Sequence, residues 1–136
     1  MEPVSGPAPE DAPASATISI NTFAQVDLRV GEVLRAERVP NADKLLRLEV
    51  DLAEAEPRQL LAGIAEWYAP EGLIGQKILV VANLQPRRMR GLESRRMLLA
   101  ASDASGKPLL ATVPRETPNG SRLRLSGAPL VAEGIG

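Results

Sequence analysis

The stretch NLQPRRMRGLESRRM, residues 83–97, places five arginines between Arg87 and Arg96 against a single acid, Glu93. Guanidiniums crowded in this way repel one another unless an anion lies among them, and their planar forks match phosphate oxygens. The chemistry on offer is therefore anion binding. Other chemistries fail for want of parts. The 136 residues contain no histidine and no cysteine, so the commonest general base, thiolate metal sites, thiol nucleophiles and disulfides are all excluded. Ser94 has no imidazole to activate it. Asp27, Asp43, Glu49 and Asp51 are not spaced as a calcium loop. EGLIGQK, residues 71–77, has the wrong spacing for a phosphate loop, and no Ser or Thr follows its lysine. A binding module is expected rather than an enzyme, with no cofactor and no metal.

The charge is segregated along the chain. From Asp27 to Glu71 there are 10 acids and 6 bases, while from Lys77 to Arg124 there are 10 bases and 3 acids, although the whole chain is formally at −1. A partner responds to the local field rather than to the total. Composition alone leaves a plainer reading open, a solvated polar face.

The elements that must carry these residues read mostly as strands. Residues 1–16, MEPVSGPAPEDAPASA, have no hydrophobic period and are expected to form a disordered Pro/Ala-rich tail or linker. A domain over residues 18–125 and a C-terminal tail over 126–136 complete the expected organisation. Ile18 and Ile20 alternate, and Asn21 offers a cap for a short helical turn carrying Phe23. In VDLRVGEVLRA the apolar period breaks after Gly31, which suggests a bulge or bend there. VPNAD is a turn. Leu46, Leu48, Val50 and Leu52 then point inward, with Leu45, Arg47, Glu49 and Asp51 outward. RQLLAGI, KILVVANL, MLLAAS and LLATV supply further strands, with a loop that has room for one helical turn across AEWYAPEGLIG. Pro86 cannot continue a ladder and Gly91 permits a sharp turn, so QPRRMRGLESRR is expected to be a constrained, exposed loop. Turns every 8 to 12 residues and few helices point to a small all-β barrel. No apolar run approaches the roughly 20 residues of a membrane helix, and the acidic N-terminus is unlike a secretory signal, so a cytoplasmic protein is expected.

Three segments carry a family resemblance: residues 23–52 (FAQVDLRVGEVLRAERVPNADKLLRLEVDL), 62–91 (AGIAEWYAPEGLIGQKILVVANLQPRRMRG) and 93–101 (ESRRMLLAA). Together they closely resemble a tRNA-binding domain found at the C-terminus of many bacterial methionyl-tRNA synthetases, in a free-standing structure-specific tRNA-binding protein and in cytokine-like synthetase cofactors of eukaryotes. The resemblance implies a five-stranded oligonucleotide-binding Greek-key barrel with short helical turns and flanking dimerisation segments, here Ile18 to Phe23 and about Pro114 to Leu125. It implies tRNA recognised by shape rather than sequence, a homodimer, and work beside methionyl-tRNA synthetase in cis or in trans.

The tRNA-facing positions it implies are Arg29, Lys44, Asn83, Arg87, Arg88, Arg90 and Ser94, to which the basic stretch adds Arg95 and Arg96. Plainer roles stand beside several of them: Arg29 paired with a carboxylate, Lys44 solvated in a turn, Asn83 bonded to loop backbone, Ser94 capping a turn. Ala62 stands where the family usually has Ser, and Arg96 where it often has Gly. A secretion-linked chaperone family of the same fold, which binds unfolded peptides, is the rival. It typically lacks the Ala-Asp-Lys-Leu turn that is intact here at Ala42–Leu45.

Overall fold

The computed structural model describes residues 16–89, 91–94 and 97–125. The expected tails, residues 1–15 and 126–136, lie outside the described residues, as do Arg90, Arg95 and Arg96. Five strands form one antiparallel sheet: β1 (Leu28–Val39), β2 (Ala42–Asp51), β3 (Arg58–Ala62), β4 (Lys77–Val81) and, after an intervening hairpin, β7 (Met97–Leu98), in the order β3-β2-β1-β4-β7. Strands β1 to β3 are a meander, and β4 returns to the free side of β1, which is Greek-key connectivity. The edge strands β3 and β7 lie against each other, so the sheet nearly closes into a barrel. Arg58 bridges the seam. Its guanidinium donates to the Ala82 carbonyl at 2.7 Å while Glu54 holds it at 2.7 and 2.6 Å.

The expected alternation of β2 fills the core. Leu46, Leu48, Val50 and Leu52 are buried with Val33, Leu60, Ile78, Val80 and Leu98. Leu45 departs from the expectation. It is buried in a second cluster with Val39, Ala42 and Leu61, and Leu92 packs over it. It does point out of the barrel, but other chain covers it there.

The first helical turn is Ile20–Phe23, capped by Ser19 rather than Asn21: the Ser19 hydroxyl accepts from the Thr22 N–H at 3.0 Å. A 3-10 turn spans Pro70–Leu73. The irregularities in β1 fall between Val33 and Arg35 and between Arg38 and Val39, not at Gly31. Gly31 has a different reason to be glycine. A Cβ there would overlap Val50 Cγ1 and lie 2.9 Å from Leu52 Cδ2, so β1 presses closely against these two core side chains. Strand β4 stops at Val81, short of the run KILVVANL, and MLLAAS divides into β7 and an exposed β8 (Ala100–Ser102). Strand β8 pairs with β9 (Pro108–Leu110) outside the main sheet. The C-terminal segment returns to the first half of β1, which β2 leaves unpaired. Gly120 N–H donates to Val30 O at 2.7 Å, Val30 N–H to Ser121 O at 2.9 Å and Leu123 N–H to Leu28 O at 2.8 Å.

Candidate nucleic-acid interface

The basic stretch is a hairpin rather than a loop. Strand β5 (Arg87–Met89) pairs with β6 (Leu92–Ser94), with Arg87 opposite Ser94, Arg88 opposite Glu93 and Met89 opposite Leu92. Gly91 at φ +79° makes the turn. Successive strand residues face opposite ways, so Arg87 and Arg88 stand on opposite faces of this ribbon, and both are exposed. A strand separates neighbouring guanidiniums that a loop would have crowded.

Two contacts dock the hairpin. Leu92 packs on the second apolar cluster, beside the β1–β2 turn. The Ser94 hydroxyl, 2% exposed, accepts from the Leu61 N–H at 3.0 Å and so satisfies a backbone donor on edge strand β3. Ser94 is thus held inside, directly across from Arg87. Lys44, exposed at the start of β2, lies beside Leu45 of the same cluster, and its carbonyl accepts from Ala65 N–H at 3.1 Å. The β1–β2 turn, Lys44 and the hairpin therefore meet at one place on the barrel.

Arg29 and Asn83 sit at the root of the hairpin, where β1 begins and β4 has just ended. Arg29 donates to both Asp27 carboxylate oxygens, at 2.8 and 3.2 Å, and to Gly120 O at 3.4 Å. That hydrogen bond holds the Asp27 carboxyl below its ordinary 3.8, with the charges of Arg29, Arg122 and Arg58 adding to it against partial burial. The same bond raises the Arg29 guanidinium. Asn83 accepts from Asp27 N–H at 2.9 Å and donates to Gln25 O at 2.7 Å, tying two loops together.

Ion pairing sorts the cations. Arg29 and Arg122 share Asp27, Arg47 pairs with Glu37, Arg58 with Glu54, and Lys77 with Glu32. Among the described residues the side chains of Lys44, Arg87 and Arg88 have no acidic partner. Arg38, which sequence reasoning passed over, joins them: it is exposed and donates only to the Ala65 carbonyl, at 3.4 Å. Its place just before the VPNAD turn was the available signal. No group of three or more acids among the described residues could hold a metal ion, and no helix among them is long and apolar enough to cross a membrane.

Residues 28–122 match the family model described as "Putative tRNA binding domain". The chain belongs to this tRNA-binding domain family. The domain is 54% identical over 94 residues to a methionine--tRNA ligase of Chloroherpeton thalassium, covering 69% of this chain and 13% of the relative. It is 47% identical over 107 residues to the Deinococcus radiodurans enzyme, covering 79% of this chain and 16% of that one. The chain thus spans about a sixth or less of these relatives' lengths. Among solved structures, a MetRS-related protein from Pyrococcus horikoshii superposes with a TM-score of 0.75 at 37% identity, over 80% of this chain and 99% of that one. The chaperone CsaA of Bacillus anthracis superposes with a TM-score of 0.71 at 36% identity, over 80% of this chain and 100% of that one.

Proposed function

We propose that this tRNA-binding domain grips folded tRNA by its backbone, through Arg87, Arg88 and Lys44, and acts as a homodimer beside a methionyl-tRNA synthetase in the cytoplasm. The observation that carries the reading is the sorting of cations. Arg29, Arg47, Arg58, Lys77 and Arg122 pair with acids of the same chain, and Arg35, Lys107, Arg115 and Arg124 make no ion pair among the described residues. Only at the hairpin and the β1–β2 turn do several unpaired cations, Arg87, Arg88, Lys44 and Arg38, come together for an external anion. Arg90, Arg95 and Arg96 extend this cationic set by sequence. Arg29, Asn83 and Ser94 enter the proposal as positioning residues, since their polar atoms are engaged within the fold. The domain adds binding, not chemistry, to aminoacylation.

The chaperone relative supports a second reading, capture of unfolded peptides. The two differ in their response to salt. Neutralising about four to six phosphates makes log K fall against log salt by about 0.7–0.9 per phosphate. Gel shifts with unfractionated tRNA are expected to weaken by orders of magnitude between low and moderate salt, with different tRNAs within a few-fold of one another. The Arg87→Ala/Arg88→Ala double variant is expected to bind weakly and to flatten the salt slope by about two phosphates. Binding that ignores salt and is displaced by unfolded protein would transfer the domain to the chaperone reading.

A further inference from the structure

Trp67 is the only tryptophan in the chain, and it is 38% exposed. Its neighbour Tyr68 turns inward: the ring packs against the main core and the hydroxyl donates to the Pro108 carbonyl at 2.7 Å. Trp67 is not part of that core, and among the described residues its indole N–H has no partner. Buried aromatic side chains contribute large apolar areas to cores and interfaces, so a tryptophan left partly in water has a surface to offer.

The backbone beneath Trp67 is held firmly. Its N–H donates to the Ile64 carbonyl at 2.9 Å, and two residues earlier Ala65 N–H donates to the Lys44 carbonyl at 3.1 Å. The Ala65 carbonyl in turn accepts from Arg38 at 3.4 Å. One short turn therefore ties the backbone that carries Trp67 to the Lys44 backbone and to the Arg38 guanidinium, two residues whose cations have no acidic partners among the described residues. The one acid adjoining it in the chain is Glu66, which is exposed. Cations that draw in phosphates beside a plane that accepts a base are the two parts of a single-stranded nucleotide site.

We propose that Trp67 is a stacking platform for an unpaired nucleobase, so that the cationic face prefers RNA in which an unpaired base adjoins duplex phosphates. This rests on the tRNA-binding reading and adds to it a means of telling folded tRNA from uniform duplex. The site is small, one base on one ring, which agrees with recognition that is mainly by shape.

Trp67 itself reports the test, because no other tryptophan contributes to the emission. Intrinsic fluorescence would be titrated with unfractionated tRNA and with a blunt RNA duplex of equal phosphate number at low salt. The expected result is quenching by tRNA and little change with duplex, although both bind. Trp67→Ala is expected to weaken tRNA about 5- to 100-fold with the salt slope and the duplex affinity unchanged, while Trp67→Phe keeps most of the tRNA affinity. Unquenched emission at saturating tRNA would overturn the proposal. So would a Trp67→Ala variant that binds tRNA normally, or one that loses tRNA and duplex equally, which would mark Trp67 as structural. Quenching by unfolded protein instead of tRNA would assign the ring to a peptide. Failure of tRNA to bind the unaltered chain at all would overturn the underlying reading, a result separable from bound but unquenched tRNA.

Discussion

Ser94 enters the proposed interface as a positioning residue. Its hydroxyl is the acceptor for the Leu61 N–H, and it lies opposite Arg87 in the hairpin ladder. Serine to alanine at this position leaves a buried backbone donor unsatisfied, which costs about 1–3 kcal/mol. Ser94→Ala is therefore expected to lower the urea midpoint and to weaken tRNA binding modestly, because β6 loosens on β3. An unchanged midpoint would show that water replaces the hydroxyl. Asp27 offers a pH prediction. Its carboxyl is held below 3.8 in the folded state, chiefly by the Arg29 hydrogen bond, so its contribution is complete above 3.8 and fades as pH falls through the lower folded value. Arg29 is 38% exposed, and water screening limits the contribution to about 1 kcal/mol or less. Asp27→Asn is expected to be less stable than the parent at neutral pH and equal to it in strong acid, as urea melts at several pH values would read. A gap that persists unchanged into strong acid would mean the variant disturbs packing instead.

At the scale of elements, β1 does most of the positioning. It pairs with β2 along its second half, with β4 along its first, and with the C-terminal segment where β2 is absent. Its sequence announced a break in period, and the break is there, but Leu34 rather than Gly31 is passed over in the register. Gly31 instead lets β1 approach Val50 and Leu52. Gly31→Ala is expected to destabilise by about 1–3 kcal/mol through overpacking, shown as a lower thermal midpoint with the barrel's circular dichroism preserved. A neutral effect would mean that Val50 and Leu52 can shift to make room. The hairpin makes the complementary point. Pro86 and Gly91 mark the ends of an excursion correctly, yet nothing in RRMRGLES distinguishes a loop from a two-stranded ribbon until Leu92 finds the cluster of Leu45 and Leu61.

For the whole molecule, the exposed apolar residues near the N-terminus bear on assembly. The helical turn Ile20–Phe23 buries none of its residues; Ile18 and Ile20 are 67% and 60% exposed, and Leu125 is 48% exposed. So short a helix is not stable by itself in water. The proposed homodimer would cover it. Light scattering at tens of micromolar is expected to give twice the chain mass, and Ile18→Asp/Ile20→Asp is expected to give a monomer with the barrel intact. A monomeric parent chain at that concentration would remove the dimer from the proposal. Dimerisation would also double the cationic face offered to one tRNA and so raise avidity.

Some of this was determined by the sequence alone. The missing histidine and cysteine narrowed the chemistry, the period of two in Leu46, Leu48, Val50 and Leu52 set the inner face of β2, and the segregated charge pointed to an anion. These are local properties, decided by residue type and spacing. Tertiary structure decided what local pattern cannot carry. Leu45 reads as an outward residue, and it is outward, but Leu92 of the hairpin packs over the cluster it forms with Leu61 and makes that outer face a second core. Likewise Arg29 lies two residues from Asp27 in the acidic half of the chain, and Arg122 lies far away in the basic half. The Arg29–Asp27 pair is legible locally, but only the fold brings Arg122 to the same carboxylate, because that depends on which distant strand the C-terminal segment returns to.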